Sequence, residues 1–229
     1  MSVTLDSAVA RFGATAKDKL ANPGAVGQPE DQLRAPFEHL LADIAELSHF
    51  PAGTVTAVGE SSQTELKTRP DYAVTVHRAL VGFVELKSPG KGADPRKFKD
   101  PHDKEQWQKL RSLPNLIYTD GNAFSLWQAG ELVGSVVTLI GDIESSGKNL
   151  KASVGLMMLF EGFLRWKPLP PHNAKELART RARSAEMLWR NTETRSMKFV
   201  HVRTWLSGMA GMHFVEDLQA TSTNSTCQI

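Results

Sequence analysis

Two acids and a lysine stand at the ends of neighbouring apolar stretches. In "RPDYAVTVHRALVGFVELKSPGKG", residues 69–92, Pro70-Asp71 opens one stretch and Glu85-Leu86-Lys87 closes the next. Carboxylate oxygens are the usual ligands of hard divalent cations such as Mg²⁺, and Mn²⁺ accepts the same donors. Such a cation makes water nucleophilic, offsets charge on a phosphoryl group in transfer and stabilises the leaving oxygen. A lysine beside it orients the attacking water and balances developing negative charge. The residue types therefore fit phosphodiester hydrolysis, with Asp71 and Glu85 as metal ligands and Lys87 as the charge-balancing cation. On a strand, residues two apart share a face, so Glu85 and Lys87 point together while Leu86 points to the core. The competing reading is plain turn chemistry: Asp71 as a strand-entry turn residue after proline, and Glu85 with Lys87 as a solvated strand-end pair.

A basic stretch follows. Between residues 87 and 104, Lys87, Lys91, Arg96, Lys97, Lys99 and Lys104 face only Asp94, Asp100 and Asp103. A local excess of this kind beside a carboxylate pair suits a polyanionic substrate. Lys91, Arg96, Lys97, Lys99 and Lys104 are the expected contacts to a nucleic-acid backbone, the alternative being a solvated loop. The overall net charge of +2 carries no such information. The basic excess of the chain as a whole falls after residue 150.

These groups need elements to hold them. Residues 3–20 read as a short helix that stops before the Asn22-Pro23-Gly24 breaker. In 31–48, Leu33, Phe37, Leu40, Leu41, Ile44 and Leu47 recur at helical spacing. Pro36 suits the first turn of that helix, which places its start near Arg34 or Ala35. Strand patterns occupy 54–58, 71–76 and 79–87, with His77-Arg78 as a two-residue hairpin turn. After the loop 88–101, a helix starts near His102, and strands follow at 115–120, 123–128 and 131–140, separated by Asp-Gly-Asn and Ala-Gly turns. Trp107 and Trp127 read as core rather than as base-stacking platforms. The prediction is an α/β fold: a mixed β-sheet flanked by helices. Beyond it come an apolar helix at 151–166, a Pro-rich break, a basic helix at 173–195 and an aperiodic, frayed tail.

Composition limits the classes. Hydrophobic content of 41% and charged content of 23% are those of an ordinary globular chain. The single cysteine, Cys227, excludes an internal disulfide framework and a thiolate zinc cluster. No apolar run of spanning length and no signal-peptide pattern occur, so a cytoplasmic location without a membrane is expected. There is no Gly-rich phosphate loop and no Asn-Pro-Pro-Tyr-like element.

Pro70-Asp71 with Glu85-x-Lys87 resembles the PD-(D/E)xK nuclease superfamily. Residues 31–130 are similar to the N-terminal nuclease domain of single-chain restriction-modification enzymes of the type ISP and type IIG kind. The resemblance implies a restriction-endonuclease-like fold over 1–145, with a core at about 31–140, followed by a helical, basic C-terminal extension over 146–229. It also implies Glu38, on the helix before the sheet, as a third metal ligand, and Gln106, on the helix after the lysine, as a catalytic neighbour. Implied with them are Mg²⁺ (Mn²⁺ substituting), double-stranded DNA as partner, 5′-phosphate products and transient pairing on DNA. Methyltransferase and possibly helicase modules would be partners absent from this chain. Two rivals stand beside this expectation: a catalytically silent DNA-binding or bridging module, and a stand-alone repair or recombination exonuclease.

Overall fold

The computed structural model describes residues 3–24, 27–59 and 69–167. Helix α1, Leu5–Leu20, starts where Thr4 and Ser7 cap each other: each backbone N–H donates to the other's hydroxyl, at 2.8 and 3.2 Å. Helix α2 runs Pro29–Leu47. It begins earlier than the position of Pro36 indicated, because Pro29 takes a first-turn position and the Gln28 N–H donates to Asp31 Oδ2 at 3.0 Å. Pro36 lies inside the helix and is buried.

Six strands follow in sequence order across one sheet: β1 (Val55–Gly59), β2 (Tyr72–Val76), β3 (Ala79–Leu86), β4 (Leu116–Thr119), β5 (Ala123–Gln128) and β6 (Glu131–Thr138). All neighbours are antiparallel except β3 and β4, which are parallel. A parallel pair needs a crossover, and helix α3, Pro101–Leu110, supplies it. His77 and Arg78 both take positive φ, 49° and 67°, as a tight two-residue hairpin between twisted strands requires. The α/β expectation of a mixed sheet with flanking helices holds.

Strand alternation sends β3 side chains to two different surroundings. Val84 and Leu86 join Phe12, Phe37, Tyr72, Phe124 and Phe160 in a large apolar core. Phe83 joins Trp107, Leu110, Tyr118 and Trp127 in a second cluster on the α3 side, so both tryptophans are core. Helix α4, Leu156–Leu164, buries Leu156, Leu159, Phe160, Phe163 and Leu164 in the first core. The compact unit that holds the sheet extends through α4. Asn115 Nδ2 ties α4 to the sheet, donating to the carbonyls of Val81 at 2.9 Å and Phe163 at 3.0 Å. Gly82 permits this approach, since a Cβ there would lie 2.5 Å from the Phe163 ring. The basic helix expected at 173–195 and the tail lie outside the described residues. No described helix is long and apolar enough to cross a membrane.

Candidate active site

The β2–β3 register pairs Tyr72 with Val84, which brings Asp71, one residue earlier, beside Glu85. The Leu86 N–H donates to Asp71 Oδ2 at 2.8 Å and locks that carboxylate at the sheet rim. From α2, Arg34 Nη2 donates to Asp71 Oδ1 at 2.8 Å. Lys87 Nζ lies 3.1 Å from Glu85 Oε1 and 3.1 Å from Asp103 Oδ1, and it donates to Gln106 Oε1. Gln106 Nε2 in turn donates to Glu85 Oε1 at 2.6 Å. Asp71, Glu85, Lys87 and Gln106 thus form one cluster, assembled by β2, β3 and α3. Glu85 is 3% exposed and Lys87 6%. A solvated strand-end pair would be open to water, so that reading does not describe these two side chains.

Burial of this kind has electrostatic consequences. Desolvation, reinforced by the Asp71 charge, pushes the Glu85 carboxyl up to about 8 against the pull of Lys87 and Gln106. Desolvation also raises Asp71, opposed by the Leu86 N–H and Arg34. For Lys87, burial acts downward, but Glu85 and Asp103 outweigh it and keep the ammonium charged above its ordinary value. Two neighbouring carboxylates, both raised, are a site that gains from an added cation.

One observation tests whether a divalent ion fits. Glu85 Oε2 is buried and has no hydrogen-bond partner among the described residues, so its desolvation is not offset by a hydrogen bond. Asp71, though held by two donors, keeps lone pairs available. Among the described residues no group of three or more His, Cys, Asp or Glu is arranged to hold an ion. Two carboxylates without a closed cage suit Mg²⁺, which usually keeps water and substrate phosphate in its shell. The residues therefore fit the ion through Asp71 and Glu85.

Glu38 is not brought into that pair. Its Oε1 accepts the Tyr72 hydroxyl at 2.7 Å, one turn along α2 from Arg34, which holds Asp71. Glu30, in the first turn of α2, accepts the Ser88 hydroxyl, and its charge acts on Asp71. Asp103 is a further residue that sequence reasoning missed. It is buried, taking Lys87 on one oxygen and Lys91 Nζ, at 2.7 Å, on the other. Burial alone would raise its carboxyl, yet Lys91 and Lys87 bring it below the ordinary value. Tyr118, paired with Glu85 in the parallel register, has a buried hydroxyl without a partner. Burial pushes its phenol up, with the Glu85 charge next.

The loop after β3 is held by Asp120. Its Oδ2 accepts the N–H groups of Gly90 (3.1 Å) and Gly92 (2.7 Å), while Oδ1 accepts those of Asn122 (3.0 Å) and Ala123 (2.9 Å). Gly90 and Gly92 take φ of 84° and 79°, values only glycine adopts without strain. The five basic residues divide on this scaffold. Lys91 is bound to Asp103. Arg96 pairs with Asp94 at 2.9 Å and lies over the Trp127 ring, 4.9 Å from its centroid. Lys97 lies 3.6 Å from Asp94 and stays mostly exposed; Lys99 and Lys104 are exposed.

No protein-family model matches this chain. No curated protein matches it either. Six chains of solved structures do. One of them, in the cryo-EM structure of a DrdV–DNA complex, is 25% identical with a TM-score of 0.47. That match covers 71% of this chain and 14% of the other, so this chain spans about one seventh of the length of the chain it resembles.

Proposed function

We propose that this chain is a Mg²⁺-dependent DNA endonuclease module that hydrolyses phosphodiester bonds and leaves 5′-phosphates, with Mn²⁺ able to substitute. The observation that carries the reading is the buried, unpartnered Glu85 Oε2 beside Asp71, within a cluster that also holds a charged lysine. A divalent ion bound there supplies an activated water and offsets phosphate charge. Asp71 and Glu85 hold the ion. Lys87 is kept protonated and fixed by Glu85, Gln106 and Asp103, so its ammonium balances negative charge gathering on the phosphorus oxygens. Gln106 sets the Glu85 carboxylate and the lysine relative to each other. The basic segment of residues 88–104, the loop after β3 and the first turn of α3, positions double-stranded DNA through its backbone.

Sequence choice then belongs to modules outside this chain, as in a restriction-modification enzyme where a methyltransferase, and in some a helicase, accompanies the nuclease. Double-strand cleavage follows from transient pairing of two modules or from two successive nicks. The test is to incubate the chain, with Mg²⁺ or Mn²⁺, with closed circular and with linear end-labelled duplex. Closed circles should be opened, and the nicks should be resealed by DNA ligase without prior phosphorylation. Degradation confined to linear ends would replace the endonuclease reading with an exonuclease. Nicks that ligase cannot seal would contradict the 5′-phosphate assignment.

A further inference from the structure

Beside the acid–lysine cluster lies an open cleft of about 330 Å³, into which Lys91, Lys97, Lys99, Asp100 and Asp103 all face. The two acids are already engaged. Asp100 caps α3, its Oδ1 accepting the N–H groups of His102 at 2.8 Å and Asp103 at 3.2 Å. Asp103 is divided between Lys87 and Lys91. Of the three lysines, Lys91 is bound to Asp103, while Lys97 and Lys99 are held less firmly. The Lys97 side chain is 80% exposed and only 3.6 Å from its nearest acid, a surface pair that costs little to open. Three lysines against two aspartates leave one positive charge, which matches one phosphodiester monoanion. The wall is fixed as well, because the Asp120 carboxylate pins the backbone of Gly90 and Gly92 on either side of Lys91.

Building on the nuclease reading, we propose that this cleft is a second phosphate subsite, taking a backbone phosphodiester of the strand whose neighbouring phosphate lies at Asp71 and Glu85. The substrate class is then a continuous polynucleotide strand rather than a mononucleotide or a terminal phosphate. The phosphate takes Lys97 and Lys99 directly and draws Lys91 away from Asp103, which is left to Lys87 alone. Arg96 and Lys104 stand outside this cleft: Arg96 is committed to Asp94 and Trp127, and Lys104 does not line it. The five basic residues of the loop region thus separate into a phosphate-binding set of three and a set of two with other settings.

The test is binding of a fluorescein-labelled duplex in EDTA, measured between about 50 and 200 mM salt, a range over which each neutralised phosphate contributes about 0.9 to the log–log slope. The Lys97→Ala/Lys99→Ala double variant should lose about one unit of that slope and bind several-fold more weakly. Lys148→Ala, an exposed lysine on a segment packed against α1, should keep the slope. An unchanged slope in the double variant would overturn the subsite. So would a mononucleotide, or polyglutamate, that displaces the labelled duplex as well as unlabelled duplex does at equal charge. Both substitutions are on exposed side chains, so the fold is expected to be intact; a circular dichroism spectrum checks it. Binding without metal involves no cleavage, so a failed subsite leaves the nicking result standing. Equally, a chain that binds with the expected slope but never nicks fails only the nuclease reading.

Discussion

On the side of the sheet covered by α1, α2 and α4, the buried side chains are overwhelmingly apolar: Phe12, Phe37, Leu40, Ile44, Val84, Phe124, Phe160 and Phe163 fill one continuous core. On the side covered by α3, Glu85, Lys87, Asp103 and Ser125 are buried among Phe83, Tyr118 and Trp127. Burying a charge is costly unless it is paired and hydrogen-bonded, and here most of the pairing is present but one oxygen of Glu85 is left over. The first face holds the strands in register. The second uses that register to keep carboxylates and an ammonium in an arrangement the chain alone does not favour. Substitutions should therefore separate: on the first face they cost stability, and on the second they cost activity while stability holds or rises.

The largest effect is expected on the first face. Phe160→Ala removes a fully buried ring and should cost about 3–5 kcal/mol in urea denaturation, with nicking falling only as the folded fraction falls. A cost below about 1 kcal/mol would mean that α4 does not belong to the core, and the comparison would break there. On the second face, Glu85→Gln should abolish Mn²⁺ binding by calorimetry and reduce nicking by about 100-fold or more. Asp103→Asn is expected to lower nicking by about tenfold, the worth of one charge-assisted bond to Lys87, with metal binding retained. Loss of metal binding in that variant would place Asp103 among the ligands instead.

A pH slope sharpens the contrast from a different side. The Glu85 carboxyl is raised in the folded chain from 4.5 to about 8, so the native state holds a proton that the unfolded state releases. Stability in EDTA should accordingly fall as pH rises through that window. Saturating Mn²⁺ should flatten the fall, and Glu85→Gln should remove most of it. An unchanged slope in the Gln variant would assign the titration to other groups.

Much of this division could be read from residue order. The helical spacing of Leu33, Phe37, Leu40, Leu41 and Ile44 and the tight turn at His77-Arg78 place α2, β2 and β3. That placement suffices to set Asp71 beside Glu85. Pro36 resembles a first-turn proline in sequence, but Pro29 with the Gln28–Asp31 cap is the stronger start signal for α2. Glu30 lies outside a helix starting at residue 34 but meets Ser88 when the helix starts at 29. Asp103 was overlooked for a different reason. An acid in the first turn of a helix is commonplace, and only the packing of α3 on β3 turns it into a partner for Lys87. The hydrogen bond from the Tyr72 hydroxyl to Glu38 is likewise not disclosed by helical phase alone. The place of α4 was equally closed to sequence, since an apolar helix carries no mark of which surface it covers.

The most direct test of the account is nicking of supercoiled plasmid by the purified chain with Mg²⁺, with Mn²⁺ and with EDTA, beside a Lys87→Ala variant. Nicking that requires the metal and falls by about 100-fold or more in the variant is the predicted result, and it assigns the buried cluster as the active centre. A folded chain that neither nicks the plasmid nor releases heat on titration with Mn²⁺ would contradict it, and the buried acids would then be part of a DNA-binding or bridging surface alone.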